Sequence, residues 1–167
     1  MAANRNIILT SLQIKQKTRR IAYQILESNG KEEEIVIAGI NGNGYIFANK
    51  LTSILNEITS IDILLCEVFI DKKKPLKEIK TSIPSSVYAN KSLVLVDDVL
   101  NSGSTLIYGV KHFLEVSLKQ FKTAVLVNRN HKKYPVKADF KGLSLSTSTQ
   151  EHIHVEFKED MAIAYLM

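Results

Sequence analysis

The 167-residue sequence predicts an α/β fold built on a parallel sheet. Two observations carry that prediction. Short apolar runs such as Ile35-Val36-Ile37-Ala38 and Leu93-Val94-Leu95-Val96 are continuous, not alternating, as in strands buried on both faces. Between them lie longer stretches with apolar residues at helical spacing. Strands alternating with helices form right-handed crossovers and therefore a parallel sheet.

The elements follow in order. Thr10 or Ser11 caps a helix running to about Glu27, with Leu12, Ile14, Ile21, Ala22 and Ile25 as its apolar face. Ser28-Asn29-Gly30 ends it, with Gly30 as the stop. Glu32–Glu34 reads as a solvated acidic turn. Ile35–Ala38 is a strand, Tyr45–Ile58 a helix, Ile61–Ile70 a strand and Leu93–Val96 another. Ser104–Leu118 is a helix with Leu106, Val110, Phe113 and Leu114 inward, and Thr123–Val127 is a strand. Beyond it, Ile153–Phe157 and Ala162–Leu166 are short strands without intervening helices, which suits a small antiparallel cap.

Composition sets the bounds. The length is that of one domain with a sizeable core. Hydrophobic residues at 45% and charged residues at 23% are those of an ordinary globular chain. No apolar run approaches the roughly 20 residues of a membrane-spanning helix. The start, Met1-Ala2-Ala3-Asn4-Arg5-Asn6, lacks the layout of a signal peptide. The single cysteine, Cys66, excludes an intrachain disulfide and sits in an apolar run as a packed thiol, so the expected location is cytoplasmic. A net charge of +5 favours anionic ligands but is too small to indicate nucleic-acid binding by itself.

Three segments carry chemistry. Leu93–Val96 runs into Asp97 and Asp98, which places two carboxylates at a strand's carboxyl end, where open α/β sheets bind ligands. Such a pair accepts hydrogen bonds from a sugar diol or holds the waters of a hard cation such as Mg²⁺. The loop Asn101-Ser102-Gly103-Ser104-Thr105 then offers amides and hydroxyls at a helix start, a seat for phosphate. The second segment, Gly39-Ile40-Asn41-Gly42-Asn43-Gly44, is a glycine-rich turn before a helix, whose amides can face an anion. The third, Asp71–Lys91, is a long connection bearing Lys72, Lys73, Lys74, Lys77 and Lys80, which suits a basic cover over a charged ligand. His152 and His154 share a strand face, but no third ligand accompanies them, and no side chain is assigned to a metal.

Leu93–Thr105 resembles the signature of the type I phosphoribosyltransferases, which bind phosphoribosyl pyrophosphate (PRPP). The family's form ends Asp-Asp-Val, two variable residues, then Thr-Gly-x-Thr; Ser102 stands at the first Thr and keeps its hydroxyl. Ala124–Lys141, then Gly142 and Ser146-Thr147-Ser148, resembles the end region of the PyrR family. Members of that family are uracil phosphoribosyltransferases that also regulate pyrimidine operons by binding messenger RNA. Ile14, Arg20, Ile21 and Ala22 fall on the family's first-helix positions, and the resemblance runs from about Ile8 to the last strand.

The resemblance implies a single domain over 1–167. It implies a five-stranded parallel sheet flanked by helices (core about 10–127) and a small hood largely from the C-terminal region, about 128–167 with the N-terminal segment. It implies transfer of ribose 5-phosphate from PRPP to a nucleobase, uracil in that family, with Mg²⁺. Asp97 and Asp98 become the catalytic pair on the ribose hydroxyls, and Asn101, Ser102, Gly103, Ser104 and Thr105 the 5-phosphate cradle. Asn41, Gly42, Asn43 and Gly44 become the pyrophosphate loop, Lys72, Lys73 and Lys74 part of a flexible loop, and Asn128 and Arg129 the nucleobase contacts. A homodimer or higher homo-oligomer is expected.

The chain departs from the family at charged positions. Gly42-Asn43-Gly44 stands where the family has Thr-Arg-Gly, and Phe69-Ile70-Asp71-Lys72 where it has Tyr-Arg-Asp-Asp. Ser104 replaces the arginine of Thr-Gly-Arg-Thr, and Asn128 an aspartate. Fewer cations on the leaving pyrophosphate imply slower turnover, and Asn43→Arg is expected to raise it. Lys15, Lys17, Arg19, Arg20, Lys132 and Lys133 supply charge for RNA, although the family's helix Thr and His are Arg19 and Tyr23. An RNA-binding pyrimidine operon regulator, or a catalytically weak PRPP-binding protein, is the alternative.

Overall fold

The computed structural model describes residues 5–167. The chain opens with strand β1 (Asn6–Leu9) and helix α1 (Ser11–Ser28). Thr10 caps α1 in a capping box: its hydroxyl accepts from the Gln13 amide at 3.3 Å, and its own amide donates to the Gln13 side chain at 2.9 Å. Thr10→Ala is therefore expected to cost about 1 kcal/mol, read as a lower urea midpoint at unchanged slope. The buried stripe of α1 is Ile14, Thr18, Ile21, Ala22 and Ile25; Thr18 is tolerated there because its hydroxyl donates to the Ile14 carbonyl at 2.6 Å. Leu12, assigned to the apolar face, lies off that stripe and is 64% exposed. The helix stops at Asn29, not through a left-handed Gly30: the Asn29 side chain donates to the Ile25 carbonyl at 2.8 Å and accepts from the Ser92 hydroxyl.

The main sheet contains β2 (Glu34–Ile40), β3 (Asp62–Phe69), β4 (Lys80–Thr81), β5 (Ser92–Leu100), β6 (Gln120–Arg129) and β7 (Phe140–Leu145), in the order β4-β3-β2-β5-β6-β7. Five of these strands are parallel, as expected, and β4 adds a short antiparallel edge beside β3. Helix α2 (Asn43–Ile58) packs with α1 on one face, around Phe47, Leu51 and Leu55. The opposite face, with Leu93, Leu95, Cys66 and Val125, is covered by α3 (Ser85–Tyr88) and α4 (Ser104–Phe113) through Tyr88, Leu106 and Phe113. Cys66 is fully buried. Among the described residues no helix is long and apolar enough to cross a membrane.

A second sheet, antiparallel in the order β1-β9-β8, joins β8 (Ile153–Phe157) and β9 (Ala162–Leu166) to the N-terminal strand. This is the hood. Residues 128–167 do not all enter it, because Phe140–Leu145 pairs with β6 and completes the parallel sheet. The connection Asp71–Lys91 is not structureless: it contains β4 and α3, and its longest irregular stretch is 71–79. Helix α4 ends at Phe113, short of the expected Leu118. The chain then tightens into three-residue turns, and Leu114 is 61% exposed instead of inward.

Candidate functional site

Strand β5 does not end before its carboxylates but carries both within its length and continues to Leu100. Asp97 is buried at 4% exposure, and Asp98 is half-buried. The Asp98 amide donates to Asp97 Oδ1 at 2.9 Å, and Lys72 Nζ stands 3.6 Å from the same oxygen. Burial pushes the Asp97 carboxyl up to about 8, and the neighbouring Asp98 charge adds to this while Lys72 pulls the other way. Lys72 thus reaches the acidic pair. Lys73 and Lys74 do not: their backbone amides bond to the Asp71 side chain at 3.0 and 3.1 Å and their side chains are exposed.

The glycine-rich turn approaches from the side. Gly42 has φ +84°, and Gly44 lies so close to β5 that a Cβ there would be 2.8 Å from Asp97 Oδ1. Asn43 donates from Nδ2 to Asp98 Oδ2 at 3.1 Å and to the Val155 carbonyl of the hood at 2.7 Å. Asn41 is spent on β3: its side chain accepts from the Ile70 amide at 3.2 Å, and its amide donates to the Val68 carbonyl at 2.8 Å.

The turn into α4 forms the opposite wall. Gly103 sits at φ +87°, a left-handed conformation that favours glycine, and Val136 leaves no room for a side chain there: a Cβ would be 2.6 Å from its Cγ1. The Ser102 carbonyl accepts from the amides of Lys133 and Tyr134 at 2.8 and 3.1 Å, so residues 133–136 strap the loop in place. Ser102 Oγ accepts from the Ser104 amide at 3.3 Å, and the N-cap residue Gly103 supplies no side-chain cap. A cavity of about 210 Å³ opens here, lined by Lys72, Asp97, Asp98 and Asn101–Thr105, with Leu106, Val125 and Ile153 among its apolar lining. Carboxylates at one end and amides and hydroxyls at the other match a polyhydroxylated phosphate ester.

Asn128 and Arg129 lie outside this lining. Asn128 is 4% exposed; its Nδ2 donates to Ser144 Oγ at 3.2 Å while its buried Oδ1 has no partner. Arg129, 5% exposed, spends its guanidinium on the Thr147 hydroxyl and on the Ser148 carbonyl at 2.7 Å. His154 stacks on Tyr165 with ring centroids 5.6 Å apart. Sequence reasoning missed Ile153, Val155, Tyr134 and Val136. The alternation Ile153-x-Val155 was the only signal that the last strands turn an apolar face downward.

Five parallel strands with an acidic pair and a glycine-turned helix start at one strand end, under a small antiparallel hood, define the phosphoribosyltransferase class of α/β fold. The chain belongs to the phosphoribosyl transferase domain family, which matches residues 4–161. It is 31% identical over 160 residues to the bifunctional protein PyrR of Enterococcus faecalis, a match covering 91% of this chain and 89% of that protein. With the bifunctional protein PyrR of Fusobacterium nucleatum subsp. nucleatum it shares 33% over 167 residues, covering 95% and 94%. Among solved structures it resembles a hypoxanthine-guanine phosphoribosyltransferase from Bacillus anthracis, with TM-score 0.73, 17% identity and coverage of 96% and 97%. It also resembles the hypoxanthine phosphoribosyltransferase of Trypanosoma cruzi, with TM-score 0.74, 13% identity and coverage of 95% of each chain. At these identities the structural likeness is one of fold.

Proposed function

We propose that the protein transfers ribose 5-phosphate from PRPP to a nucleobase, with uracil preferred. The observation that carries this reading is the convergence of Asp97, Asp98 and the Asn101–Thr105 turn on one cavity. Asp97 and Asp98 accept the ribose hydroxyls and orient the sugar. The amides and hydroxyls of residues 102–105 hold the 5-phosphate, with Gly103 as the pivot. The bond from ribose C1 to pyrophosphate oxygen breaks, one from C1 to a base nitrogen forms, and the proton that nitrogen loses leaves with the pyrophosphate.

The acidic pair suits Mg²⁺ shared with the substrate better than a metal held by protein alone. Among the described residues no group of three or more His, Cys, Asp or Glu side chains converges, and Mg²⁺ commonly keeps its waters and uses one or two carboxylates with substrate oxygens. Asp97 and Asp98 would hold it, and when bound it screens the charge of the pyrophosphate. Lys72, already at Asp97, is the loop cation placed to follow that charge. Residues 71–79 are accordingly expected to gain protection from hydrogen exchange when Mg²⁺-PRPP binds; equal protection in both states would rule out a covering role.

Uracil rests on the resemblance over Ala124–Lys141, which also implies Asn128 as a base contact, although its Oδ1 is buried outside the cavity lining. Arg129, the other base contact the resemblance implies, has its guanidinium bonded to Thr147 and Ser148. Pyrophosphate release from PRPP, measured with a panel of pyrimidine and purine bases, tests the reading. Release with uracil is expected. Release with hypoxanthine or guanine alone would overturn the base, and release with none would overturn the transfer. We place the activity in the cytoplasm and expect a homodimer or higher homo-oligomer, measurable by light scattering. The RNA-regulator reading has less support, because Arg20 is bonded to the Lys141 and Gly142 carbonyls at 3.1 and 2.8 Å and Arg19 is paired with Glu57 at 3.6 Å.

A further inference from the structure

We propose that Asn43 is a positioning residue that sets the orientation of Asp98 and the height of the hood above it; this rests on the PRPP reading. One amide nitrogen makes both bonds. Asn43 Nδ2 donates to Asp98 Oδ2 at 3.1 Å, 55 residues away in sequence, and to the Val155 carbonyl at 2.7 Å, 112 residues away. Both neighbours are acceptors, so the chemistry fixes which end of the amide faces them.

Two consequences follow for the cavity. Asp98 Oδ2 is occupied by Asn43, which leaves Oδ1 for a ligand and removes the rotational freedom that a half-buried carboxylate otherwise has. Val155 is two residues from Ile153, so the same amide holds the strand that supplies an apolar side chain to the cavity lining. Floor and roof are therefore joined by one side chain at the first turn of α2. Where the resembling family carries a flexible cation, this chain carries a short strut. An arginine at 43 would have to give up the two-acceptor bridge in order to reach a pyrophosphate.

The test uses the full chain with Asn43→Leu, which keeps the volume without a donor, and Asn43→Asp, which keeps the shape but places an acceptor against two acceptors. Ser11→Ala, which removes the hood's bond from the Ala162 amide at 3.2 Å, is the control for a loosened hood distant from Asp98. Hydrogen exchange of residues 153–157 is measured without ligand, and Mg²⁺-PRPP affinity by calorimetry. Both Asn43 variants are expected to exchange at least tenfold faster and to bind PRPP at least tenfold more weakly, Asn43→Asp the more so. Ser11→Ala is expected to keep wild-type affinity. Unchanged exchange and affinity in Asn43→Leu would reduce Asn43 to a space-filler and overturn the proposal. So would faster exchange with unchanged affinity, since Asp98 would then not depend on it. A wild-type protein that binds no PRPP overturns the functional reading itself and the proposal with it. Binding by the wild type and by Asn43→Leu alike overturns the proposal alone.

Discussion

Asp97→Asn is expected to make the ligand-free protein more stable than wild type at alkaline pH while lowering Mg²⁺-PRPP binding by about 100-fold, the worth of one or two charge-assisted hydrogen bonds. Asp97 titrates at about 8 in the folded chain against an ordinary 3.8. Between those values the native state holds a proton that the unfolded chain has released, so its stability falls as pH rises through that window and levels off above it. Asparagine keeps the Oδ1 acceptor for the Asp98 amide and removes the buried charge. The variant's advantage should therefore be smallest near pH 4 and reach about 2 kcal/mol or more by pH 8, read from urea midpoints across pH. Lys72→Met removes the cation that lowers this carboxyl and should carry the alkaline loss to still higher pH. A constant difference between wild type and Asp97→Asn from pH 4 to 9 would show that Asp97 ionises normally.

The second large effect is expected at Gly44. A methyl group there would stand 2.8 Å from Asp97 Oδ1, 3.1 Å from the Val96 carbonyl oxygen and 3.2 Å from Asp97 Cα. Two of the three are backbone atoms of a central strand and cannot swing aside. Gly44→Ala should thus push the start of α2 away from β5, at a cost of about 3 kcal/mol, and carry Asn43 out of reach of Asp98. Gly42, two residues earlier, provides the contrast. It has no atom within 4 Å of a would-be Cβ and only its backbone, with φ +84° and ψ −135°, to defend, so Gly42→Ala should cost about 2 kcal/mol. Equal urea midpoints for the two variants would contradict the close approach.

Much of this was legible in the chain. Apolar runs fully buried between two helix layers have no polar face to confuse their reading, and Leu93–Thr105 carries strand, carboxylates and phosphate turn in one piece. What escaped was whatever depends on a neighbour distant in sequence. Strand β7 puts Lys141 and Ser144 on opposite faces, breaking the alternation, and is recognisable only once it is seated on β6. β4 is two residues long, and β1 gains its partner from the other end of the chain. Leu12 and Leu114 fit helical spacing but lie at first and last turns, where the stripe runs off the core. The expectation for Asn43→Arg changes for the same reason. Residue types show a lost charge, but only the fold shows that the replacement amide bridges Asp98 and Val155.

The hood is stitched from opposite ends of the chain, with Asn6 opposite Leu166 and Ile7 opposite Tyr165. A ribosome delivers β1 first, and β1 must wait as an unpaired edge until some 150 residues later its partner emerges. Nearly all of the parallel sheet, the acidic pair and the phosphate turn can be in place long before then. Pairing ends so distant in sequence carries a large loop-closure cost, which a pre-folded core reduces by holding the two segments near each other. The roof over Asp98 is therefore expected to be the last part of a nascent molecule to close, and a newly made chain to pass through a stage with its floor complete and no lid.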